Sequence, residues 1–265
     1  MKLNYSTYID IVREAGSKVK ELCNKEGLKV EDKGGNDPLS EADLASNQIL
    51  QKLQNEISGS HFFTEEASDD LARMDKEYVW IVDPIDGTRE FIKGIPEFAV
   101  SVALHCRGRL LFSAVMNPFD SLAYQTEGSF YSEYYGEDEP EIFSNQICVS
   151  RSEWNSGIFE GVDIGYELKV VGSIAFKLSL VAQGRYQGVL SLRPKNEWDI
   201  AGGVGLVDAS GQTASDVAGR KYHFNRDKRL EGVVGGPKMF VRRLLAEHNL
   251  YRLFKDHQKE RGDNG

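Results

Sequence analysis

Apolar residues recur at helical spacing early in the chain, where Tyr8, Ile9, Val12, Ala15, Val19 and Leu22 would share one face of a helix stopped by Gly27. A polar, glycine-containing loop at 31–37 leads to Pro38-Leu39-Ser40, and Ser40 with Asp43 has the spacing of a capping box. The helix it opens would turn Ala45, Ile49, Leu53 and Ile57 inward. The pattern then shortens to strand-like runs at 79–82, 98–106 and 109–116, the last two joined by an Arg107-Gly108 turn. Tyr124 and Phe130-Tyr131 extend this meander across Glu127-Gly128. Beyond an acidic stretch at 137–141 the elements alternate. Strands are expected at 169–171, 186–192 and 233–234. Helices are expected at 174–182, at 198–209 before Gly211, and from Pro237 onward. The pattern predicts an α/β protein, with an N-terminal α+β lobe (1–140), a C-terminal α/β lobe (141–265) and the change between Gly136 and Cys148.

Composition narrows the class. A chain of 265 residues, 40% apolar and 28% charged, can bury a sizeable core. No stretch approaches the roughly 20 apolar residues of a membrane span, and the start of the chain has no signal-peptide core. Cys23, Cys106 and Cys148 are odd in number and far apart, so a disulfide framework is not expected and a reduced, cytoplasmic protein is. The net charge of −9 comes with no basic stripe, which argues against non-specific nucleic-acid binding. The histidines lack zinc-like spacing. Arg242, Arg243, Lys255, Lys259 and Arg261 read as a solvated helical face and tail.

Acids are the candidate chemistry. Asp83-Pro84-Ile85-Asp86-Gly87-Thr88 follows the apolar run at 79–82, Glu65-Glu66 follows Phe62-Phe63, and Trp198-Asp199 opens the small-residue stretch Ala201-Gly202-Gly203. Asp-Pro-x-Asp-Gly is also good turn chemistry, and Asp199 could be only a helix-N-terminal acid. Carboxylates held together without a base beside them are costly unless a proton or cation intervenes. Hard cations such as Mg²⁺ take carboxylate, carbonyl and water oxygens, and commonly serve enzymes that break bonds to phosphorus. Gly202, Gly203 and Gly205 weaken a helix, so they point to close packing against another element.

Asp83 to Thr88 and Trp198 to Gly203 together resemble the paired signature of the inositol monophosphatase superfamily of lithium-sensitive, Mg²⁺-dependent phosphatases. The resemblance runs from about residue 37 to 211. It implies a layered αβαβα fold with the site between the lobes. It also implies two or three Mg²⁺ ions on Glu65, Asp83, the Ile85 carbonyl, Asp86 and Asp199, with Thr88, partnered by Asp43, and Glu65 orienting the attacking water. Thr88-Arg89-Glu90-Phe91-Ile92-Lys93, Glu97-Phe98-Ala99-Val100 and the helix carrying Lys177 are similar to the 3′(2′),5′-bisphosphate nucleotidases. Leu192 stands where inositol enzymes place a glutamate. Departures are Thr64 for glycine or serine, Arg89 for lysine, Ser173-Ile174-Ala175 in place of paired serines, and Arg193 about two positions from the nucleotidase arginine. The implied substrate is adenosine 3′,5′-bisphosphate, bound by Gly87, Thr88, Ser173, Lys177, Arg193 and Asp199. Inositol 1-phosphate and fructose 1,6-bisphosphate are the alternatives within the same chemistry. An inactive cation- or nucleotide-binding regulator is a third reading, against which the full ligand set speaks. Expected partners are a small phosphorylated substrate, no nucleic acid and no integral membrane segment, in a monomer or homodimer.

Overall fold

The computed structural model describes residues 3–23, 25–32, 38–69, 71–136, 139–226 and 230–260, with side chains to 255. Most of the loop expected at 31–37, part of the acidic stretch at 137–141, and Lys259 and Arg261 of the basic tail therefore lie outside the described residues or side chains. The first half runs α1 (Tyr5–Cys23), a hairpin of β1 (Val30–Asp32) and β2 (Pro38–Ser40), α2 (Glu41–Leu50), α3 (Lys52–Glu56), β3 (His61–Thr64), β4 (Tyr78–Asp86) and α4 (Thr88–Ile92). It continues with β5 (Ala99–Cys106), β6 (Arg109–Asn117), β7 (Ser121–Thr126) and β8 (Ser129–Tyr134). The second half comprises β9 (Phe143–Ser150), α5 (Arg151–Trp154), β10 (Glu167–Val171), α6 (Ile174–Ala182), β11 (Tyr186–Ser191) and α7 (Glu197–Ala209). It ends with β12 (Thr213–Ser215), β13 (Val233–Gly236), α8 (Lys238–Glu247) and α9 (Leu250–Glu260).

Two sheets result. A six-stranded sheet follows the order β3-β4-β5-β6-β7-β8, antiparallel except for the parallel β3–β4 pair. A five-stranded sheet follows β10-β9-β11-β13-β12, parallel across its first three strands and antiparallel beyond. Alternation along each strand serves two cores at once. On β4, Trp80 and Val82 face α1 and α2, while Val79 and Ile81 face α6 and α7. On the second sheet Cys148, Val189 and Val233 face the same central helices. Ile147, Val149, Leu190 and Val234 turn outward to α8 and α9. The layers are helix, sheet, helix, sheet, helix, as the αβαβα expectation has them.

The central helices are built for confinement. Every residue of α6 is buried, and α7 carries glycines where its neighbours press closest. A Cβ on Gly202 would stand 2.6 Å from Ser101 Oγ, one on Gly203 2.5 Å from Leu178 Cβ, and one on Gly205 2.6 Å from Ser113 Oγ. The glycine-rich start of this helix is thus explained by close packing.

One inward face is displaced from expectation. The buried positions of α2 are Ala42, Asp43, Ser46 and Leu50, with Ala45 and Ile49 at its margin. Asp43 and Ser46 hold the inward face for hydrogen bonding, with Ser46 Oγ donating to Pro84 O at 2.9 Å, and apolar spacing does not see polar residues turned inward. Five of the described strands also go unpredicted, among them β1, β2 and β12 of three residues each. β3 is only four residues long, and the first half of β9 is polar and largely open.

A Gly202→Val variant tests the packing of α7. Its Cβ would also come within 3.2 Å of the Ala114 carbonyl and the Val102 amide, backbone atoms that cannot swing aside. Urea unfolding should show a loss of about 1–3 kcal/mol; an unchanged midpoint would refute the tight contact.

Candidate active site

A break in strand register creates the site. β4 pairs Asp83 with Ser101 but Asp86 with Ala99, so three steps on β4 match two on β5. Residues three apart on a regular strand point to opposite faces. The extra residue at Pro84-Ile85 cancels that alternation and turns Asp83 and Asp86 to the same side. The freed backbone is satisfied locally: Ile85 N donates to Asp83 Oδ1 at 3.0 Å, and proline has no N–H to satisfy. Gly87 then leaves the strand at φ 98°, where a side chain would press on the Glu97 carbonyl and Phe98. The parallel β3–β4 pairing matches Thr64 with Val82, which sets Glu65 beside Asp83.

Behind the bulge runs a chain of hydrogen bonds. Thr88 Oγ1 lies 3.0 Å from Asp43 Oδ1 and also 3.0 Å from the Ile85 carbonyl. A hydroxyl has one proton to give. Given to the carboxylate, it leaves the Ile85 oxygen with free lone pairs. Asp43 Oδ2 is fixed in turn by Ser40 N at 2.8 Å and Ser40 Oγ at 2.6 Å, the capping box of α2. Asp43 thus serves both as the cap and as the partner of Thr88.

Asp83 is 1% exposed. Burial first, then the Glu65, Asp86, Asp199 and Asp43 carboxylates, push its carboxyl well above the usual carboxylate range. Asp86 keeps an open side toward the cavity yet sits deep in the fold, and desolvation raises its carboxyl too. Ser173 Oγ at 2.6 Å and Ala175 N at 2.5 Å donate to Asp86 Oδ2 and oppose that rise. Ser173 holds this pose at φ 51°, a strained value for a residue with a side chain. Asp199, at the third position of α7, accepts from Asn196 N at 2.7 Å.

These groups line a cavity of about 280 Å³, with Glu65, Asp83, Ile85, Asp86, Gly87, Thr88, Ser173, Lys177 and Asp199 all on its wall. Among the described residues no three His, Cys, Asp or Glu side chains are already arranged to hold a metal ion. Like charges repel, and Asp86 and Asp199 are each turned partly to helix-start donors. The donor set nonetheless fits a hard cation: carboxylate oxygens, a carbonyl with lone pairs to share, and a buried cluster whose charge calls for a counter-ion.

Two of the residues expected to hold substrate are engaged by the protein itself. Lys177 is 1% exposed, and its ammonium donates to the carbonyls of Val171, Gly172 and Ser173 at 2.9, 3.2 and 2.8 Å. All three protons are spent on holding the strained turn before α6, while burial lowers its pKa to about 8 against the pull of Asp86. Arg193 is not on the cavity wall and bonds Ser156 Oγ at 2.7 Å. Sequence reasoning missed Ser150, Ser152, Lys195 and Asn196, which do line the cavity. The signal for the serines, Ser150-Arg151-Ser152 at a strand end, was hidden because β9 itself was not recognised.

Comparison with known proteins adds the lineage. A family model described as "Inositol monophosphatase family" matches residues 4–256. The chain is 28% identical over 225 residues to an inositol-1-monophosphatase of Rhizobium meliloti (strain 1021), covering 80% of this chain and 84% of that one. It is 27% identical over 251 residues to the Nus factor SuhB of Escherichia coli (strain K12), covering 88% and 91%. Among solved structures it resembles CysQ of Bacteroides thetaiotaomicron, with a TM-score of 0.69 at 23% identity over 87% of this chain and 95% of that one.

The acidic cluster makes a prediction about stability. A carboxyl raised in the folded state stabilises fully below its unfolded pKa of about 3.9, and that contribution is lost as pH rises through the folded value. Metal-free protein should therefore lose thermal stability as pH climbs above 4, and Mg²⁺ should restore part of it. Asp83→Asn should flatten that slope and raise the metal-free melting temperature at pH 8. Scanning calorimetry with and without Mg²⁺ reads both, and a lower melting temperature for the variant would argue against charge repulsion at Asp83.

Proposed function

The chain belongs to the inositol monophosphatase family, and from that premise we propose that it is a Mg²⁺-dependent phosphomonoesterase acting on the 3′-phosphate of adenosine 3′,5′-bisphosphate to give AMP and phosphate. The observation that carries the phosphatase reading is the Ser40–Asp43–Thr88–Ile85 chain standing beside the buried Asp83. Glu65, Asp83, the Ile85 carbonyl, Asp86 and Asp199 would hold the ions. Bound there, Mg²⁺ supplies positive charge against the phosphate and the departing oxygen, and makes a water acidic enough to attack near neutral pH.

The protein's own task is positioning. With its proton committed to Asp43, Thr88 Oγ1 offers a lone pair to one hydrogen of the attacking water, so the oxygen faces the phosphorus. Glu65, across the strand pair, accepts the second proton. Phosphoryl transfer needs little more than such alignment and charge neutralisation, so no covalent nucleophile is required. Ser173 and Lys177 act one step back: the lysine holds the 171–173 turn, and the turn presents the hydroxyl that fixes Asp86.

The nucleotide reading rests on the Thr88–Lys93 and Glu97–Val100 segments and on Leu192, which is fully buried and offers no carboxylate to sugar hydroxyls. A second reading, inositol 1-phosphate, is favoured by the name of the Rhizobium relative. A phosphate-release panel of adenosine 3′,5′-bisphosphate, inositol 1-phosphate and fructose 1,6-bisphosphate separates them. The nucleotide should lead in kcat/KM by about tenfold or more; inositol 1-phosphate in first place would overturn the assignment. Thr88→Ala should cut kcat by about 10²–10³-fold with KM little changed, and undiminished turnover would remove Thr88 from the mechanism.

A further inference from the structure

Both cations assigned to the substrate from sequence, Lys177 and Arg193, are engaged elsewhere, whereas Lys195 on the cavity wall has capacity to spare. Its side chain is 13% exposed, and its one side-chain partner among the described residues is Glu153 Oε1 at 3.4 Å. An ammonium has three protons to give, so two remain. The 3.4 Å contact is also long for a charge-assisted bond. Its main chain is fixed by paired bonds with Leu230, 2.9 Å in each direction.

Glu153 explains why this lysine waits in place. It is wholly buried at the start of α5, and its carboxylate accepts from Ser191 Oγ, from Leu192 N at 2.9 Å and from Arg193 N at 3.2 Å. Those bonds shape the turn that carries Lys195 to the cavity. A lysine whose main chain is already fixed loses less freedom on binding.

We propose that Lys195, held by Glu153, is the residue that selects substrates bearing a second phosphate besides the one removed. The scissile group belongs at the Asp83–Asp86–Thr88 end, where bound ions would supply the charge. Lys195 reaches the same cavity from the turn before α7, near enough for its charge to favour the ionised Asp86, and Ser150, Ser152 and Asn196 also line it. Phosphate oxygens are strong acceptors that need charged and neutral donors together, which is what these side chains offer. The inference rests on the phosphatase reading above and names the feature its substrate must carry.

The test compares adenosine 3′,5′-bisphosphate with 3′-AMP, which lacks the second phosphate. In Lys195→Gln the ratio of the two kcat/KM values should fall by about tenfold or more, mainly through KM for the bisphosphate. Lys195→Arg should keep most of the ratio. An unchanged ratio in a glutamine variant with wild-type circular dichroism would overturn the proposal, and so would a proportional loss on both substrates. Should the variants fail to fold, the wild-type enzyme decides. 5′-AMP should inhibit 3′-AMP hydrolysis at a concentration about tenfold or more below adenosine; equal inhibition overturns the idea. If the substrate panel favours inositol, the nucleotide assignment falls separately. Lys195 is then judged on inositol 1-phosphate against inositol 1,4-bisphosphate by the same ratio.

Discussion

The fold is organised around a repulsion. Asp83 is almost wholly buried beside carboxylates from the residue after β3, the end of β4, α2 and α7. Such a cluster opposes folding, and it persists because each element that carries an acid is held by something else. Asp43 is held as a cap, Glu65 by the parallel pairing of β3 with β4, and Asp199 by the start of a confined helix. Stability gathered elsewhere keeps like charges within reach of one another, which is the arrangement a site needs if cations are to complete it.

The central layer makes the two halves of the chain one site. α7 begins with Asp199 and then runs between the sheets, packing on Val102 and Ala114 of one and, through Leu178 of α6, on the other. The turn before α6 reaches back to Asp86 through Ser173 and Ala175. Glu97 and Glu90, from the first half, meet Arg151 from the second, and Glu97 also receives the Gly172 amide at 2.7 Å. The cavity wall is therefore a seam, stitched by ion pairs on one side and by helix-start hydrogen bonds on the other.

Much of this was legible in the sequence, and the reasons differ by residue. Asp83, Ile85, Asp86 and Thr88 could be read because a bulge with proline and glycine leaves a mark in the sequence itself. Ser40 and Asp43 could be read because capping is local. What escaped depended on contacts between distant segments. Lys177 was assigned to substrate through the resemblance of its helix to the nucleotidases, which does not reveal that the Val171, Gly172 and Ser173 carbonyls fold back onto its ammonium. Lys195 drew no notice because its partner Glu153 lies 42 positions away. β3 and β9 were missed for the ordinary reason that short or half-polar strands carry little periodic signal. The inward face of α2 was misjudged because hydrogen-bonding residues occupy it.

The glycines of α7 have a consequence for how such a site can diversify. A helix wedged at van der Waals distance on several sides can neither rotate nor slide, so the acid at its head is fixed like a rivet. Changes in the shape or charge of the accepted molecule must then come from the surrounding rim, chiefly the turn between β11 and α7 and the corner between β9 and α5. Those two segments can vary while the chemistry beneath them stays the same.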